Sequence, residues 1–371
     1  MCLASARVDG SVVPSGYRPW LDGVRAVAVL MVVVQHAVGQ MPVNTGFVGV
    51  GVFFALSGYL ITSLLLDERS ARGSVSLRRF YLRRAARLMP ALVLVVVACN
   101  AVFLLQGDRA PLRGSIYALT YTANYALIWR SDALPEFGPT WSLAVEEHFY
   151  LIWPPLLLWF LRRRPLRTVL ALTLGMCVAT IFYRGLLALA GVRYELLALG
   201  SIERADALLY GCAAAMAVRL GWRPHRLVLW VGMASIVVLP VVYTRETYNV
   251  LVVGDAVLAL TAAMLVVGLD TCAPPVVRRA LSGRLLVRIG VLSYGIYLWH
   301  GPVLRMASNA GTTSWQWRSV AVALSFTAAA ASYHWVEKPI RSWARRRTAR
   351  PTPLAAELDT AGAPGVPGEA R

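Results

Sequence analysis

The chain has little charge and almost no lysine. Only 15% of its 371 residues are charged, against 57% hydrophobic, and Lys338 is the single lysine, so the basic character is almost wholly arginine. Soluble globular domains carry roughly a quarter of their residues as charges. The deficit, with a mean hydropathy of +0.58, argues against a water-soluble core and for a polytopic membrane protein. Cysteine is sparse and scattered: Cys2, Cys99, Cys177, Cys212 and Cys272 stand singly, odd in number, with no CxxC pair and no Cys/His spacing. Neither a disulfide framework nor a metal site is expected from them. Residues 1–15 lack the apolar core of a cleavable signal peptide, so the first apolar segment is expected to act as the targeting signal itself. No internal repeat of roughly 20 to 50 residues is visible, and no room is left for an appended soluble domain.

What is present is a net charge of +18. Its arginines lie in short runs between apolar segments, without a basic face interleaved with aromatics, so no nucleic-acid partner is expected. The bilayer is the partner that this pattern implies. Ten runs are long enough to cross it: 22–39, 48–66, 88–105, 141–161, 167–187, 203–219, 227–243, 249–268, 285–304 and 318–337. Arginine collects in alternate connections, at Arg69, Arg72, Arg78, Arg79, Arg83, Arg84 and Arg87, then at Arg162, Arg163, Arg164 and Arg167, then at Arg219, Arg223 and Arg226, and then at Arg278, Arg279 and Arg284. Lys338, Arg341, Arg345, Arg346, Arg347 and Arg350 follow the tenth run. The intervening connections are poorer: 40–47 has no charge, and 106–140 balances Arg109, Arg113 and Arg130 against Asp108, Asp132 and Glu136. The positive-inside rule then predicts an all-α bundle of about ten transmembrane helices with both termini cytoplasmic. Residues 116–129 are too short and too polar to span and are expected to lie at the outer interface or re-enter. The expected organisation is a cytoplasmic segment at 1–18, a transmembrane unit at 19–343 and a disordered cytoplasmic tail at 344–371, rich in Pro, Ala and Gly from Pro351.

Within this frame the first segment, RPWLDGVRAVAVLMVVVQHAVG from Arg18 to Gly39, carries ionisable residues where hydrocarbon tolerates few: Asp22, Arg25 and His36. Arg25 and His36 are eleven positions apart, three helical turns plus about 20°, so one face presents both, roughly 16 Å apart along the axis. GVGVFFALSGYLITSLLL places Ser57 and Gly58 in mid-membrane, where Gly58 serves either close helix packing or a ligand passage. RRFYLRRAARLMPAL clusters Arg78, Arg79, Arg83, Arg84 and Arg87 before a Pro90 break, which suits both inside anchoring and a grip on phosphates through guanidinium forks. TWSLAVEEHFYLIWPP puts Glu146, Glu147 and His148 in an apolar span, with the two carboxylates 100° apart, so one can pair with an arginine while the other faces a site. Glu203, Arg204 and Asp206 read as a local ion-paired group near the outer end of the sixth run, and LSYGIYLWHGPVL places His300 beside Gly301-Pro302. Ordered by the expected topology, Arg25 and the 78–87 cluster sit at the inner surface, while His36, Glu146, Glu147 and His300 share the outer half. A long ligand with an anionic head at the arginines and a reactive end near His36 would fit.

These motifs, in this order, resemble the membrane acyltransferase-3 family, which includes bacterial O-antigen acetylases and macrolide acyltransferases. The resemblance covers nearly all of residues 19–343 and rests on LDGVRAVAVLMVVVQHA with its Arg-x10-His pair, FFALSGYLIT, RRFYLRRAARLMPAL, TWSLAVEEHFY, LSYGIYLWHGPV and SYHWVEKPIR. It implies ten transmembrane helices in the cell membrane. It also implies acyl-CoA, commonly acetyl-CoA, as co-substrate rather than bound cofactor, and a hydroxyl on a carbohydrate as acceptor, with a macrolide-type metabolite as the alternative. His148 departs from the family's usual glutamine at that position, which would alter hydrogen bonding beside Glu147 and puts the acceptor preference in question. Some relatives add a C-terminal SGNH-type extracytoplasmic domain, and the short tail here is expected to hold none.

Carried onto this chain, the resemblance makes His36 the general base that deprotonates the acceptor hydroxyl, or the carrier of a covalent acyl group. Glu146 or Glu147 would orient that imidazole. Arg25, Arg83, Arg84 and Arg87 would hold the CoA phosphates, and Ser57 and Gly58 would line the thioester passage. Asp22, Trp141, Asp206 and His300 are candidates for the acceptor side or for support. The rival of another class is a glycan or lipid transporter, which would also place ionisable groups in spans but commonly shows paired inverted halves, undetected here.

Overall fold

A computed structural model describes residues 17–39, 43–107, 109, 111–134, 136–243, 247–309 and 314–348, and every regular element among them is helical. In chain order these are α1 (Pro19–Val38), α2 (Thr45–Arg72), α3 (Leu77–Leu105), α4 (Pro111–Leu119), α5 (Ala123–Trp129), α6 (Thr140–Arg163), α7 (Leu166–Leu189) and α8 (Tyr194–Leu199). There follow α9 (Ala205–Arg219), α10 (Arg226–Val242), α11 (Asp255–Thr271), α12 (Pro275–Leu281), α13 (Arg284–Asn309), α14 (Trp315–Ser332) and α15 (Lys338–Thr348). π-Helical turns at Val250–Gly254 and Tyr333–Glu337 lead directly into α11 and α15.

The helix starts follow local chemistry. Pro19 opens α1, where a missing N–H costs nothing. The Asn44 side chain accepts the Phe47 amide at 3.2 Å to cap α2, and Ser76 accepts the Arg79 amide at 3.4 Å to cap α3. That second cap changes the expected layout: the arginine cluster does not precede the third span but forms its first three turns. Pro90 does not break α3 either. It removes one N–H, and the helix continues through it, as membrane helices permit.

Five units are long and apolar enough to cross a membrane, namely α1, α2, α3, α7 and the continuous Val250–Thr271 segment. A sixth results if α12 and α13, bent by 57° at their junction, count as one span. The remaining runs read as spans from the sequence are also helices, but shorter or less apolar. α9 has 15 residues and α10 has 17, α6 loses hydropathy to Glu146, Glu147 and His148, and α14 is rich in Ala and Ser. The chain is thus an all-α, multi-pass membrane protein. Exposed apolar side chains such as Val97, Leu151, Phe182 and Val237 line the outside of the bundle, as a lipid-facing surface requires.

Residues 116–129 fall in the short helices α4 and α5, too short to span as expected; Asn124 is fully buried, donating to the Leu199 carbonyl at 3.2 Å and the Ser201 hydroxyl at 3.0 Å, while Ile116 and Trp129 stay exposed. One part of the sequence reading changes. Residues 344–348, assigned to a disordered tail, are the last turn of α15. The rest of the tail, and residues 1–16, lie outside the described residues.

Small residues allow backbones to touch at the centre. A Cβ on Gly58 would collide with the Leu208 carbonyl of α9, and one on Gly211 would collide with the Ala55 carbonyl of α2, so α2 and α9 meet glycine to backbone on both sides. Gly290 of α13 bears likewise on the Asp22 carbonyl of α1. Gly58, read as either packing or passage, is therefore a packing residue: its hydrogen occupies the α2/α9 seam, and a ligand has no access to it. Gly58→Ala is expected to lower stability by about 1 to 3 kcal/mol through overpacking. Gly175→Ala, on the open face of α7 with no neighbour within 4 Å, should be neutral or stabilising by about 0.5 to 1 kcal/mol. Thermal unfolding of the two purified variants checks the contrast.

Candidate active site

α1, α2, α3, α6 and α13 enclose a cavity of about 550 Å³. Its polar lining includes Tyr17 and Arg18 just before α1, Asp22 and Arg25 of α1, Ser57, Ser63 and Asp67 of α2, Arg84 and Arg87 of α3, Ser142, Glu146 and Tyr150 of α6, and Ser293, Tyr294 and Tyr297 of α13. Apolar walls at Leu21, Phe53, Leu60 and Leu88 complete it. Helical spacing explains the α6 contribution: Ser142, Glu146 and Tyr150 recur every four residues and so share one face. The α13 contribution works alike, with Ser293, Tyr294 and Tyr297 on adjoining positions of one stripe.

At one end Asp22 accepts hydrogen bonds from the Tyr17 hydroxyl at 2.7 Å and from Arg25 Nη1 at 3.1 Å. Ser57 donates to Glu146 Oε1 at 2.9 Å, tying α2 to α6 across the cavity. Arg84 forms a fork on Glu147, with Nη2 at 2.7 Å and Nε at 3.1 Å from Oε1, and its guanidinium stacks on the Tyr150 ring at 3.0 Å. The two adjacent carboxylates are thus divided as their 100° offset allows: Glu147 pairs with an arginine, and Glu146 faces the cavity. At the far end Tyr297 donates to the Pro139 carbonyl at 2.6 Å, shares a 2.6 Å hydrogen bond with Ser142, and stands over Phe53.

Beyond Tyr297 lie two histidines. The Tyr297 ring is 5.5 Å from that of His300, which meets His36 edge to face at 5.0 Å. His36 Nδ1 lies 2.8 Å from the Val32 carbonyl, and His300 Nδ1 lies 2.6 Å from the Tyr297 carbonyl. A carbonyl only accepts, so each Nδ1 carries a proton and a neutral ring presents a bare Nε2. His300 is fully buried and its Nε2 has no partner, whereas His36 is exposed. The second of these imidazoles is open to an incoming molecule.

Several expected placements change. Neither Glu146 nor Glu147 touches His36; the Val32 carbonyl and the His300 ring orient it instead. Two helical turns separate these carboxylates from the start of α6 and bring them down to the arginines, so they do not share the level of the histidines. Arg83 does not line the main cavity; it points at Glu68, 3.5 Å away, which also draws Arg72 and Arg79. Trp141 packs between Phe47 and Phe54 and lines no cavity wall. Asp206 does not line the main cavity, and it is not paired with its neighbour Arg204. It takes a bidentate hold on the fully buried Arg184 of α7, at 3.1 and 2.9 Å, while Arg204 pairs with Asp255 of α11, itself bonded by Tyr243 at 2.5 Å. These cross-helix pairs fasten α7, α9 and α11 together. His148 bonds Ser201 at 2.8 Å rather than anything in the cavity. Among the described residues no group of three His, Cys, Asp or Glu side chains could hold a metal ion.

The sequence reading did not single out Tyr150, Ser142, Ser293, Tyr294 and Tyr297 as cavity residues. The signal was present as i, i+4 spacing from Glu146 and as the SYGIY stripe before His300.

Comparison with known proteins identifies the family. A family model described as an acyltransferase domain matches residues 18–334. Among relatives, the peptidoglycan O-acetyltransferase OatA of Listeria monocytogenes is 33% identical over 353 residues, covering 88% of this chain and 56% of that protein. YrhL of Bacillus subtilis is 33% identical over 363 residues (90% and 56%), and the O-acetyltransferase OatA of Staphylococcus aureus is 28% identical over 357 residues (88% and 57%). The chain therefore spans a little over half the length of the relatives it matches. No solved structure matches it. With the match running from the first helix, which bears Arg25 and His36, through the cavity to the π-helical turn before α15, the chain belongs to the acyltransferase-3 family of membrane acyltransferases.

Proposed function

We propose that this protein is a plasma-membrane O-acyltransferase that moves a short acyl group, acetyl foremost, from acyl-CoA to a hydroxyl of a cell-envelope carbohydrate, of the peptidoglycan class named for its relatives. In this reading the bundle crosses the membrane ten times, α6, α9, α10 and α14 included, with both termini cytoplasmic, as the alternation of arginine-rich connections supports. One arrangement supports the functional reading: a cavity with guanidinium groups at one end and Tyr297 at the other, with the rings of His300 and then of the exposed His36 packed in succession behind Tyr297 and the His36 Nδ1 held by the Val32 carbonyl.

Arg25 and Arg87 give that end of the cavity a positive character suited to phosphate. Ser57 and Glu146 lie along the path of the acyl arm, where the Ser57–Glu146 bond keeps the carboxylate fixed. At the far end the acceptor hydroxyl attacks the thioester carbonyl while His36 Nε2 takes its proton. A C–O bond forms, the C–S bond breaks, and the proton on the imidazolium passes to the departing CoA sulfur. The Val32 carbonyl holds the His36 tautomer throughout. The ring of His300 packs edge to face against His36 at 5.0 Å and backs the imidazolium that forms transiently.

His36→Ala, in protein that still inserts and unfolds at the parental temperature, should abolish transfer measured as thiol release plus acylated product. Full activity in that variant would remove the general base. Arg25→Ala should weaken acyl-CoA binding by about 1.5 to 3 kcal/mol, roughly 10- to 150-fold, through loss of a charge-assisted contact; an unchanged affinity takes Arg25 out of the donor site. For the acceptor, mass spectrometry of the envelope should show peptidoglycan O-acetyl groups lost in a deletion strain and restored by the intact gene. An unaltered envelope beside a changed extractable metabolite would overturn the carbohydrate assignment.

A further inference from the structure

A second pocket of about 280 Å³ adjoins the cavity, sharing Ile61, Leu64, Arg84 and Arg87 with it. Its remaining wall comes from Arg83 and Phe80 of α3 and from Arg341, Ala344 and Arg345 of α15. Five arginines thus line one small space, and no carboxylate does. α15 is built to supply this wall. Ala344, buried, seats it against α3, and Arg341 and Arg345, one turn apart on the same face, project beside Arg83 and Arg87.

Two of these charges, Arg87 and Arg341, are not used up by ion pairs within the fold. Arg84 is committed to Glu147, and Arg83 reaches Glu68 only at 3.5 Å. Among the described residues Arg87 and Arg341 have no ion-pair partner, and Arg87 is repelled by Arg25, Arg84 and Arg341 together. Glu337 is the acid whose charge Arg87 and Arg341 sense, but its carboxylate is bonded to Ser332 at 3.3 Å. Like charges gathered in a concave, partly buried space are costly without an anion between them. Guanidinium forks bind phosphate oxygens in pairs, so several forks around one space select a group with several phosphate oxygens.

Resting on the acyl-CoA reading above, we infer that the pocket between α3 and α15 is a phosphate subsite that takes the 3′-phosphate and diphosphate of the donor nucleotide, with the acyl arm in the adjoining cavity. Arg341 and Arg345 are its recognition residues. They lie in a helix beyond the region of the family match, which ends at residue 334. α15 then serves as a binding element and not merely as an anchoring basic tail.

The shared chemistry of the ligand is phosphate, which an anionic lipid headgroup also carries, and the test separates the two. Full-length protein in discs of phosphatidylcholine is titrated with CoA and with 3′-dephospho-CoA, and the titrations are repeated in discs rich in phosphatidylglycerol. The expected result is a preference for CoA of about tenfold or more in both lipids, from loss of a charge-assisted contact. That preference should largely vanish in the double variant Arg341→Gln/Arg345→Gln, once its unfolding temperature has been matched to the parent. Equal binding of the two nucleotides by the parent protein overturns the subsite and leaves the donor reading intact, as does a preference that persists in the variant. A preference seen in phosphatidylcholine but lost in phosphatidylglycerol assigns the pocket to lipid headgroups and also overturns it. If the parent binds neither nucleotide, the donor reading fails, and the subsite falls with it.

Discussion

A charge inside an apolar bundle must be paired or must face a polar space, and the Arg84–Glu147 fork is where this constraint shapes the protein most. It joins α3 to α6, and with Arg84 laid on Tyr150 it closes one side of the cavity. Because Glu147 meets that demand, Glu146, one position away and 100° round the helix, is left to face the interior space with only the Ser57 hydroxyl on it. The same constraint sorts the other ionisable residues. Arg184 with Asp206, Arg204 with Asp255 and Arg18 with Asp270 each tie two elements together with both partners committed. Asp22, Arg25, Arg87 and Glu146 gather at the cavity, where a polar ligand can complete them.

Close backbone packing makes this sorting geometrically rigid. Gly58 and Gly211 bring α2 against α9, and Gly290 brings α13 against the carbonyl of Asp22. The helices that carry the cavity residues are thus held at distances set by backbone atoms rather than by adaptable side chains. A run of ring contacts, Phe53 to Tyr297 to His300 to His36, then extends from the cavity wall to the C-terminal end of α1. The Tyr297 hydroxyl is fixed in place, donating to the Pro139 carbonyl and bonded to the Ser142 hydroxyl of α6.

Much of this was legible in the sequence, because apolar run length and arginine placement are one-dimensional quantities. Each of the ten runs coincides with a helix, the opposed duties of Glu146 and Glu147 follow from their offset, and the shared face of Arg25 and His36 is a property of one helix. Partners in space were not legible. Nothing in the TWSLAVEEHFY motif says that α6 enters at a height that sets its carboxylates beside Arg84 rather than beside His36. Nor does periodicity say that Asp206 reaches back to Arg184 and not to its neighbour Arg204. Gly58 illustrates the limit well: a small residue in a span is consistent with passage or packing until the facing backbone is known. The arginines before the third span likewise read as a flanking cluster, because a run of apolar residues starts where the charges stop, whereas the helix itself starts at the Ser76 cap, three residues ahead of Arg79.

In the proposed reaction the separation between the arginines and the histidines has a purpose. If anion binding and proton abstraction occurred at one place, a guanidinium close to His36 would oppose the positive charge that forms on the imidazole as it takes a proton. The length of α1, about three turns between Arg25 and His36, would keep the two apart, so that a molecule with its charge at one end and its reactive group at the other could use both. On that reading selection by length and selection by charge would be exercised by the same helix face. The carbonyl of Val32, one turn before His36, would then need to do no more than fix which ring nitrogen carries the proton. The proton-accepting end of such a site can be small, because recognition takes place elsewhere along the bundle.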